Sequence, residues 1–428
     1  MKIIRYPAKE IWSEILRRPP MDLTSVETSV RDILDDIRRD GDEALRCCTT
    51  KFDGVEIGDM LVHGEEFLQA EERLSADLKN AILRAKTNIE KFHAAQREEI
   101  SKIETTRGVF CWRKSVPIEK VGLYVPAGTA PLFSTVLMLA VPAQLAGCYE
   151  VVLCSPPDKL GKVADSILYA ASLCGVTKIY KVGGAQAIGA MAYGTETIPK
   201  VHKIFGPGNQ YVTCAKQFVS REVAIDMPAG PSEVAVLADE SCVPAFVAAD
   251  LLSQAEHGPD SQVLLVSTSE EVISKTLTEI EKQIVDLPRR NIAERSLANS
   301  RAILVSDLDE GLEILNEYAA EHLILAVEEP DTMARKVRNA GSVFLGNYSC
   351  EAAGDYASGT NHTLPTAGFA RSFSGISLDS FVKKITFQRL TADGIRNLGP
   401  TIETMAAAER LDAHKRAVSL RLEEIDGL

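Results

Sequence analysis

The chain lacks any stretch of about 18 apolar residues that could span a bilayer. Its beginning, Met1 to Pro20, alternates charged and apolar residues and has no apolar core of the kind a signal peptide needs. No long Lys/Arg run occurs, and 47 basic residues stand against 60 acidic ones for a formal net charge of -13. A phosphate backbone needs a basic face, so no nucleic-acid partner is expected. The nine cysteines (47, 48, 111, 148, 154, 174, 214, 242 and 350) contain no CxxC pair. That excludes a thiolate zinc knuckle and a disulfide framework and fits a reducing compartment, so the expected location is the cytoplasm, with no membrane partner. GxGxxG is missing too: Gly183, Gly184 and Gly189 have the wrong spacing for the standard dinucleotide fingerprint.

What is present is an ordinary globular balance, 45% hydrophobic and 25% charged over 428 residues. That length predicts two large units plus appendages. From about Ser25 to Lys102 the apolar residues recur at helical spacing, as in Val30, Ile33, Leu34 and Ile37. From Val121 the texture becomes short apolar runs bounded by Gly and Pro: Val121 to Val125, Val151 to Cys154, Lys178 to Val182 and Lys203 to Phe205. A second set follows at Val234 to Leu237, Val263 to Val266, Ala302 to Val305, Leu323 to Ala326 and Ser342 to Leu345. Helical stretches such as Val136 to Ala146 and Asp165 to Cys174 alternate with these runs, predicting an α/β fold of two parallel units. Beyond about Ser380 no further strand is expected, and Thr401 to Leu422 reads as one long helix.

Five segments are candidates for chemistry. Pro244 suits a helix start and Gly258-Pro259 its end, so Ala245 to His257 should be helical, with Asp250, Gln254 and His257 in one polar stripe. Such a stripe is a possible metal ligand set, and a C-capping histidine with solvated neighbours is the plainer reading. Glu321-His322 directly precedes an apolar strand, a placement that suits proton transfer as well as an exposed acid-base pair. Ala353 to Pro365 reads as a Gly-rich polar loop in which Asp355 and His362 offer oxygen and nitrogen donors, although many such loops only turn the chain. Glu409 and His414 lie five residues apart in the terminal helix and do not share a face. Finally Tyr124 to Gly128, Gly183 to Gln186 and Gly206 to Asn209 each end a predicted strand, where glycine lets backbone approach a phosphate.

Taken together, these segments resemble the histidinol dehydrogenase family. The resemblance runs through YVPAGTAPLFST (Tyr124 to Thr135), VGGAQA (Val182 to Ala187), FGPGN (Phe205 to Asn209), DMPAGPSE (Asp226 to Glu233) and LLSQAEHGPDSQ (Leu251 to Gln262). It continues through Glu321-His322-Leu323, GSVFL (Gly341 to Leu345), GDYASGTNH (Gly354 to His362) and IETMAAAERLDAH (Ile402 to His414). It implies two Rossmann-like α/β units, incomplete and atypical, with small helical N- and C-terminal appendages. The implied boundaries are 24–122 with 235–378 for the metal and catalytic domain and 123–234 for an inserted NAD-binding domain, leaving 1–23 and 379–428 as appendages. The resemblance further implies oxidation of L-histidinol to L-histidine by way of histidinaldehyde, with two NAD consumed.

For the site, the resemblance implies one zinc per subunit held by Gln254, His257, Asp355 and His414. Glu321 and His322 match its acid-base pair: His322 takes the alcohol proton, and Glu321 activates water in the second oxidation. Ser232, His362 and Glu409 match substrate-binding positions, joined by Gln254, His257, His322, Asp355 and His414. Tyr124, Gln186 and Asn209 match positions that bind NAD. The family is implied to be a homodimer in which the C-terminal segment carrying Glu409 and His414 completes the partner's site. Two rivals remain at this stage. One is a cysteine-dependent aldehyde dehydrogenase using Cys148 or Cys154, and the other a zinc- and nucleotide-binding module without catalysis.

Overall fold

The structure is a computed structural model that describes residues 1–19, 23–127, 130–228 and 230–427. Gly128 of the candidate glycine turn, and Thr129 and Ala229 within the quoted motifs, lie outside the described residues. The chain divides into two compact units, one of Met1–Ala95 with Ile118–Phe381 and one of Gln96–Pro117 with Val382–Leu428.

The first unit holds two all-parallel sheets. The six-stranded sheet runs β1 (Lys2–Arg5), β11 (Arg301–Leu304), β10 (Gln262–Ser267), β9 (Glu233–Ala238), β12 (His322–Ala326) and β13 (Ser342–Leu345). The five-stranded sheet runs β6 (Lys178–Tyr180), β5 (Glu150–Cys154), β4 (Lys120–Tyr124), β7 (Lys203–Phe205) and β8 (Ala224–Ile225). Strands such as β9, β10 and β12 are buried at every residue, as parallel strands covered on both faces must be. Once β1 has been laid down at the edge of the six-stranded sheet, each sheet is wound the same way: from a central strand (β9 or β4) outward to one side through two strands, and then across to the other side. A switch point therefore opens between β9 and β12 and another between β4 and β7, the places where parallel sheets leave a crevice.

Three features differ from expectation in this unit. Residues 1–23 do not form a helical appendage only, because β1 adds to the edge of the six-stranded sheet in parallel register, Lys2 opposite Arg301. The helices of residues 23–94, grouped with 235–378 in the sequence reading, pack on the five-stranded sheet. Val30, Leu34 and Ile37 join Ile188, Met191 and Val212 on one of its faces, while Ile82 and Ile89 join Leu137, Val141 and Ile167 on the other. The boundaries expected at 122/123 and 234/235 fall inside β4 and β9.

The second unit is an antiparallel sheet of β14 (Val382–Leu390), β3 (Val109–Pro117) and β2 (Ile103–Thr106), followed by helices Ala392–Ala408 and Asp412–Asp426. The expectation that strands stop near Ser380 is thus corrected: β14 pairs with β3 over nine residues, from Val382 opposite Pro117 to Leu390 opposite Val109. The single long terminal helix is corrected too. Arg410 has φ 58, a left-handed conformation that ends one helix before the next begins. Gly108 turns β2 into β3 with φ +81, and a Cβ there would come 2.4 Å from Thr391 Oγ1.

Candidate active site

Helix Pro244–Ala255 follows β9 and returns to the amino ends of the strands, and it is there, where β9 and β12 begin and on the opposite side of the sheet from its switch-point crevice, that Gln254, His257, Glu321, His322 and Asp355 gather. The helix ends two residues earlier than expected. His257 therefore leaves it, donating its N–H to Gln254 O at 3.2 Å, while Gln254 remains helical and buried. Asp250 and Gln254 share a helical face as expected, but His257 lies beyond the helix, and a turn, not helical periodicity, aims it.

Glu321 and His322 are both buried where β12 begins. The approach is tightly made: Ala319 closes helix Leu308–Tyr318 with φ 54, and a Cβ on Gly341 would stand 2.5 Å from Glu321 O. Gly341 is thus required by close approach, which fixes the backbone at Glu321. Glu321 Oε2 accepts the N–H of Glu233 at 2.9 Å, and His322 Nδ1 lies 3.2 Å from Glu233 O. With Nδ1–H donating to that carbonyl, Nε2 is the nitrogen that carries the lone pair whenever the ring is neutral. Nε2 stands 3.4 Å from Asp355 Oδ1, and Nδ1 lies 3.7 Å from Glu321 Oε2 and 3.8 Å from Glu351 Oε1.

The electrostatics follow from burying several acids beside one imidazole. Desolvation pushes Glu321 up to about 8, with His322 opposing, and pushes Glu351 up to about 8 likewise. For His322, desolvation works downward, yet Glu321, Asp355 and Glu351 outweigh it and raise the imidazole to about 10. Asp355 is lowered: desolvation opposes this, but His322, His362 and His257 win. His257 and His362 are both lowered, chiefly by desolvation. Asp250 is pushed up to about 6 by desolvation.

The same place offers a metal a ligand set. One ligand atom each of His257, Glu351 and Asp355 lies within 4.8 Å of the others, a cluster found among the described residues. Gln254 Oε1, Glu351 Oε1, Asp355 Oδ1 and His322 Nε2 are buried atoms that have no hydrogen-bond partner among the described residues. Orphaned buried oxygens are costly, and a mixed N/O set of this kind suits a divalent cation. Glu351 was missed in the sequence reading. Its signal was there: it stands four residues before Asp355 on helix Glu351–Tyr356, where i and i+4 share a face. Ser253 Oγ donates to Glu351 Oε2 at 2.9 Å and orients it.

The other predicted residues fall as follows. Ser232 immediately precedes β9, its carbonyl accepting Gln262 N at 3.3 Å. His362 is held at both nitrogens, Nδ1 at 2.9 Å from Asp355 O and Nε2 at 3.3 Å from Thr135 Oγ1. Glu409 and His414 belong to the other unit, Glu409 as the residue closing helix Ala392–Ala408 and His414 on helix Asp412–Asp426, both exposed.

At the carboxyl ends of the five-stranded sheet, Tyr124 Oη accepts the N–H of Gly184 at 3.0 Å. Burial pushes this phenol up to about 12. Gln186 is buried in the first turn of helix Gly184–Tyr193. Asn209 caps helix Gln210–Val219, its Oδ1 accepting Tyr211 N at 3.0 Å and Val212 N at 3.2 Å. Tyr124 and Asn209 thus flank the β4–β7 switch point, where dinucleotides bind in doubly wound sheets. Neither cysteine of the rival mechanism suits a nucleophile: burial raises Cys154 well above the ordinary thiol range and pushes Cys148 up to about 11.

Comparison with known proteins gives the family and the fold. A sequence model described as histidinol dehydrogenase matches residues 16–422. A histidinol dehydrogenase of Bacteroides fragilis strain YCH46 is 60% identical over 426 residues, covering 99% of this chain and 100% of its own. One from Bacteroides thetaiotaomicron is 60% identical over 423 residues, covering 99% of each chain. The crystal structure of histidinol dehydrogenase from Elizabethkingia anophelis superposes with a TM-score of 0.98 at 54% identity, covering 100% of this chain and 99% of that one.

Proposed function

The chain belongs to the histidinol dehydrogenase family, and from that premise we propose that it oxidises L-histidinol to L-histidine through histidinaldehyde, reducing two NAD. The observation that carries this reading is the buried Glu321–His322 pair beside three oxygens, Gln254 Oε1, Glu351 Oε1 and Asp355 Oδ1, that have no hydrogen-bond partner among the described residues. Gln254, His257 and Asp355 would hold a zinc ion, with Glu351 within reach of the same position and His414 supplied by a second subunit of a homodimer. When bound, the ion positions and polarises the substrate and offsets the carboxylates that hold His322 protonated.

In the first oxidation His322 takes the hydroxyl proton on Nε2, which Nδ1–H···O=C of Glu233 leaves free, while a hydride departs from the carbinol carbon to NAD. In the second, Glu321 removes a proton from water as its oxygen adds to the aldehyde carbon. The hydrate anion then loses its remaining C–H as hydride to a second NAD, and the carboxylic acid formed releases its proton to water as the carboxylate. Ser232, His362 and, from the second subunit, Glu409 bind the substrate. Tyr124, Gln186 and Asn209 bind the dinucleotide. Among the described residues no helix is long and apolar enough to cross a membrane, and the reducing-compartment cysteine pattern supports a cytoplasmic location.

The test is a metal analysis combined with counting NADH on addition of histidinol. Two NADH per histidinol and one zinc per subunit are expected. One NADH would make the protein a simple alcohol dehydrogenase, and none a binding module. His257→Asn should lose zinc and activity together; a zinc-replete, fully active variant refutes the ligand assignment. Glu321→Gln should stop after the first NADH with zinc retained.

A further inference from the structure

Glu321 and His322 are both gripped by one residue that is not itself in the acid-base pair. The N–H of Glu233 donates to Glu321 Oε2 at 2.9 Å, and its carbonyl oxygen lies 3.2 Å from His322 Nδ1. The two contacts flank a single Cα, so the conformation of one residue sets where both functional groups point. Glu233 opens β9, and its own side chain is only 3% exposed. A buried carboxylate must be paired.

Its partner comes from the far end of the sequence. Arg18 binds Glu233 through two parallel contacts, Nε to Oε1 and Nη2 to Oε2, the latter at 2.9 Å. Nη2 also donates to Tyr318 O at 2.8 Å, and the guanidinium lies over the Tyr318 ring, 4.1 Å from its centroid. Ala367 N donates to Glu233 Oε1 at 3.0 Å, and Tyr318 Oη donates to Gln262 Oε1 at 2.9 Å, tying the cluster to β10. The planar fork of arginine can meet both carboxylate oxygens and the carbonyl while stacking on the ring; a lysine ammonium cannot.

We propose that Arg18 is a positioning residue for the Glu321–His322 pair, acting through Glu233. This rests on the acid-base reading given above. The guanidinium fixes the Glu233 side chain, the side chain fixes the start of β9, and the β9 backbone fixes the proton-transferring groups.

Arg18→Gln and Arg18→Lys test it by steady-state assay with histidinol and NAD. A misplacement of the order of 1 Å at the reacting groups costs up to about 100-fold. Arg18→Gln should therefore lower kcat by about 10- to 100-fold, Arg18→Lys should lie between it and the wild type, and KM for histidinol should stay within about threefold. Should Arg18→Gln fail to fold, Arg18→Lys, which keeps a cation beside Glu233, carries the same test. The decisive readout is a double-mutant cycle with His322→Asn. With the base gone, Arg18→Lys should change the residual rate by less than about twofold, because the two act as one unit. Wild-type kcat in Arg18→Lys, or the same fold-loss in both backgrounds, overturns this inference alone. Full activity in Glu321→Gln and His322→Asn overturns the acid-base reading and this inference together.

Discussion

Asp226→Asn should destabilise the protein more than Lys216→Met, although the two residues form one ion pair. Lys216, on helix Gln210–Val219, meets Asp226 just beyond β8 with side chains only 5% and 1% exposed. Asp226 Oδ2 accepts Gly206 N at 2.8 Å and Oδ1 accepts Met227 N at 2.7 Å, while Lys216 Nζ donates to Gly206 O at 2.9 Å. The pair therefore brackets Gly206, whose φ is +132 and where a Cβ would stand 2.1 Å from Tyr124 O. Removing one partner of a buried pair costs about 3–5 kcal/mol. Without Lys216, Asp226 keeps two N–H donors, which places Lys216→Met at about 3 kcal/mol. In Asp226→Asn the new carboxamide has one oxygen to accept a bond and turns its NH2 toward the other N–H. Lys216 meanwhile loses its counter-charge, and either Gly206 N–H or Met227 N–H loses its acceptor. An orphaned donor adds to the loss, so Asp226→Asn belongs at about 5 kcal/mol. Urea unfolding followed by far-UV circular dichroism measures both, and the double variant should cost less than their sum by about 1–3 kcal/mol. If Lys216→Met costs as much as Asp226→Asn, or the two simply add, the reasoning fails.

Replacing Cys148 and Cys154 together by alanine should leave both oxidations within about threefold of the wild type, because burial keeps both thiols protonated; NADH stoichiometry falling from two would revive the thiohemiacetal route. Chelator-treated protein should lose stability from pH 7 to 9. Glu321 and Glu351 move from 4.5 to about 8 and His322 from 6.5 to about 10, so the folded state holds protons the unfolded chain has released. That stability is full below the unfolded values and vanishes as pH climbs through the folded ones. A urea midpoint that rises over this range contradicts the assignment. Mixing inactive His322→Asn and His414→Asn proteins should restore about a quarter of wild-type activity if subunits exchange at random and share sites; no recovery after verified exchange argues for sites within one chain.

Much of the fold could be read in the sequence because parallel strands buried on both faces leave continuous apolar runs, as in Val234 to Leu237 and Val263 to Val266. β14 left no such trace. Residues Val382–Leu390 mix Lys383, Lys384, Gln388 and Arg389 with Ile385 and Phe387, and only pairing with β3 makes them a strand. Glu351 was one helical turn from a residue already chosen, but nothing local separates a ligand from a surface acid. The end of helix Pro244–Ala255 was misplaced by two residues, since Gly258-Pro259 marks where a helix cannot continue and not where it stops.

The order of motifs, the alternation of strand and helix, and the residue types available for proton transfer were determined by the sequence alone, for these are local or family-wide properties. Tertiary structure decided which of them meet. Arg18 and Glu233 lie 215 positions apart, and Glu233 and Glu321 a further 88. Such pairings are chosen by β9 lying beside β12 and by the need of each buried charge for a partner. No spacing rule along a chain encodes that need, which is why the pair at Glu321 was visible from the outset and the support beneath it was not.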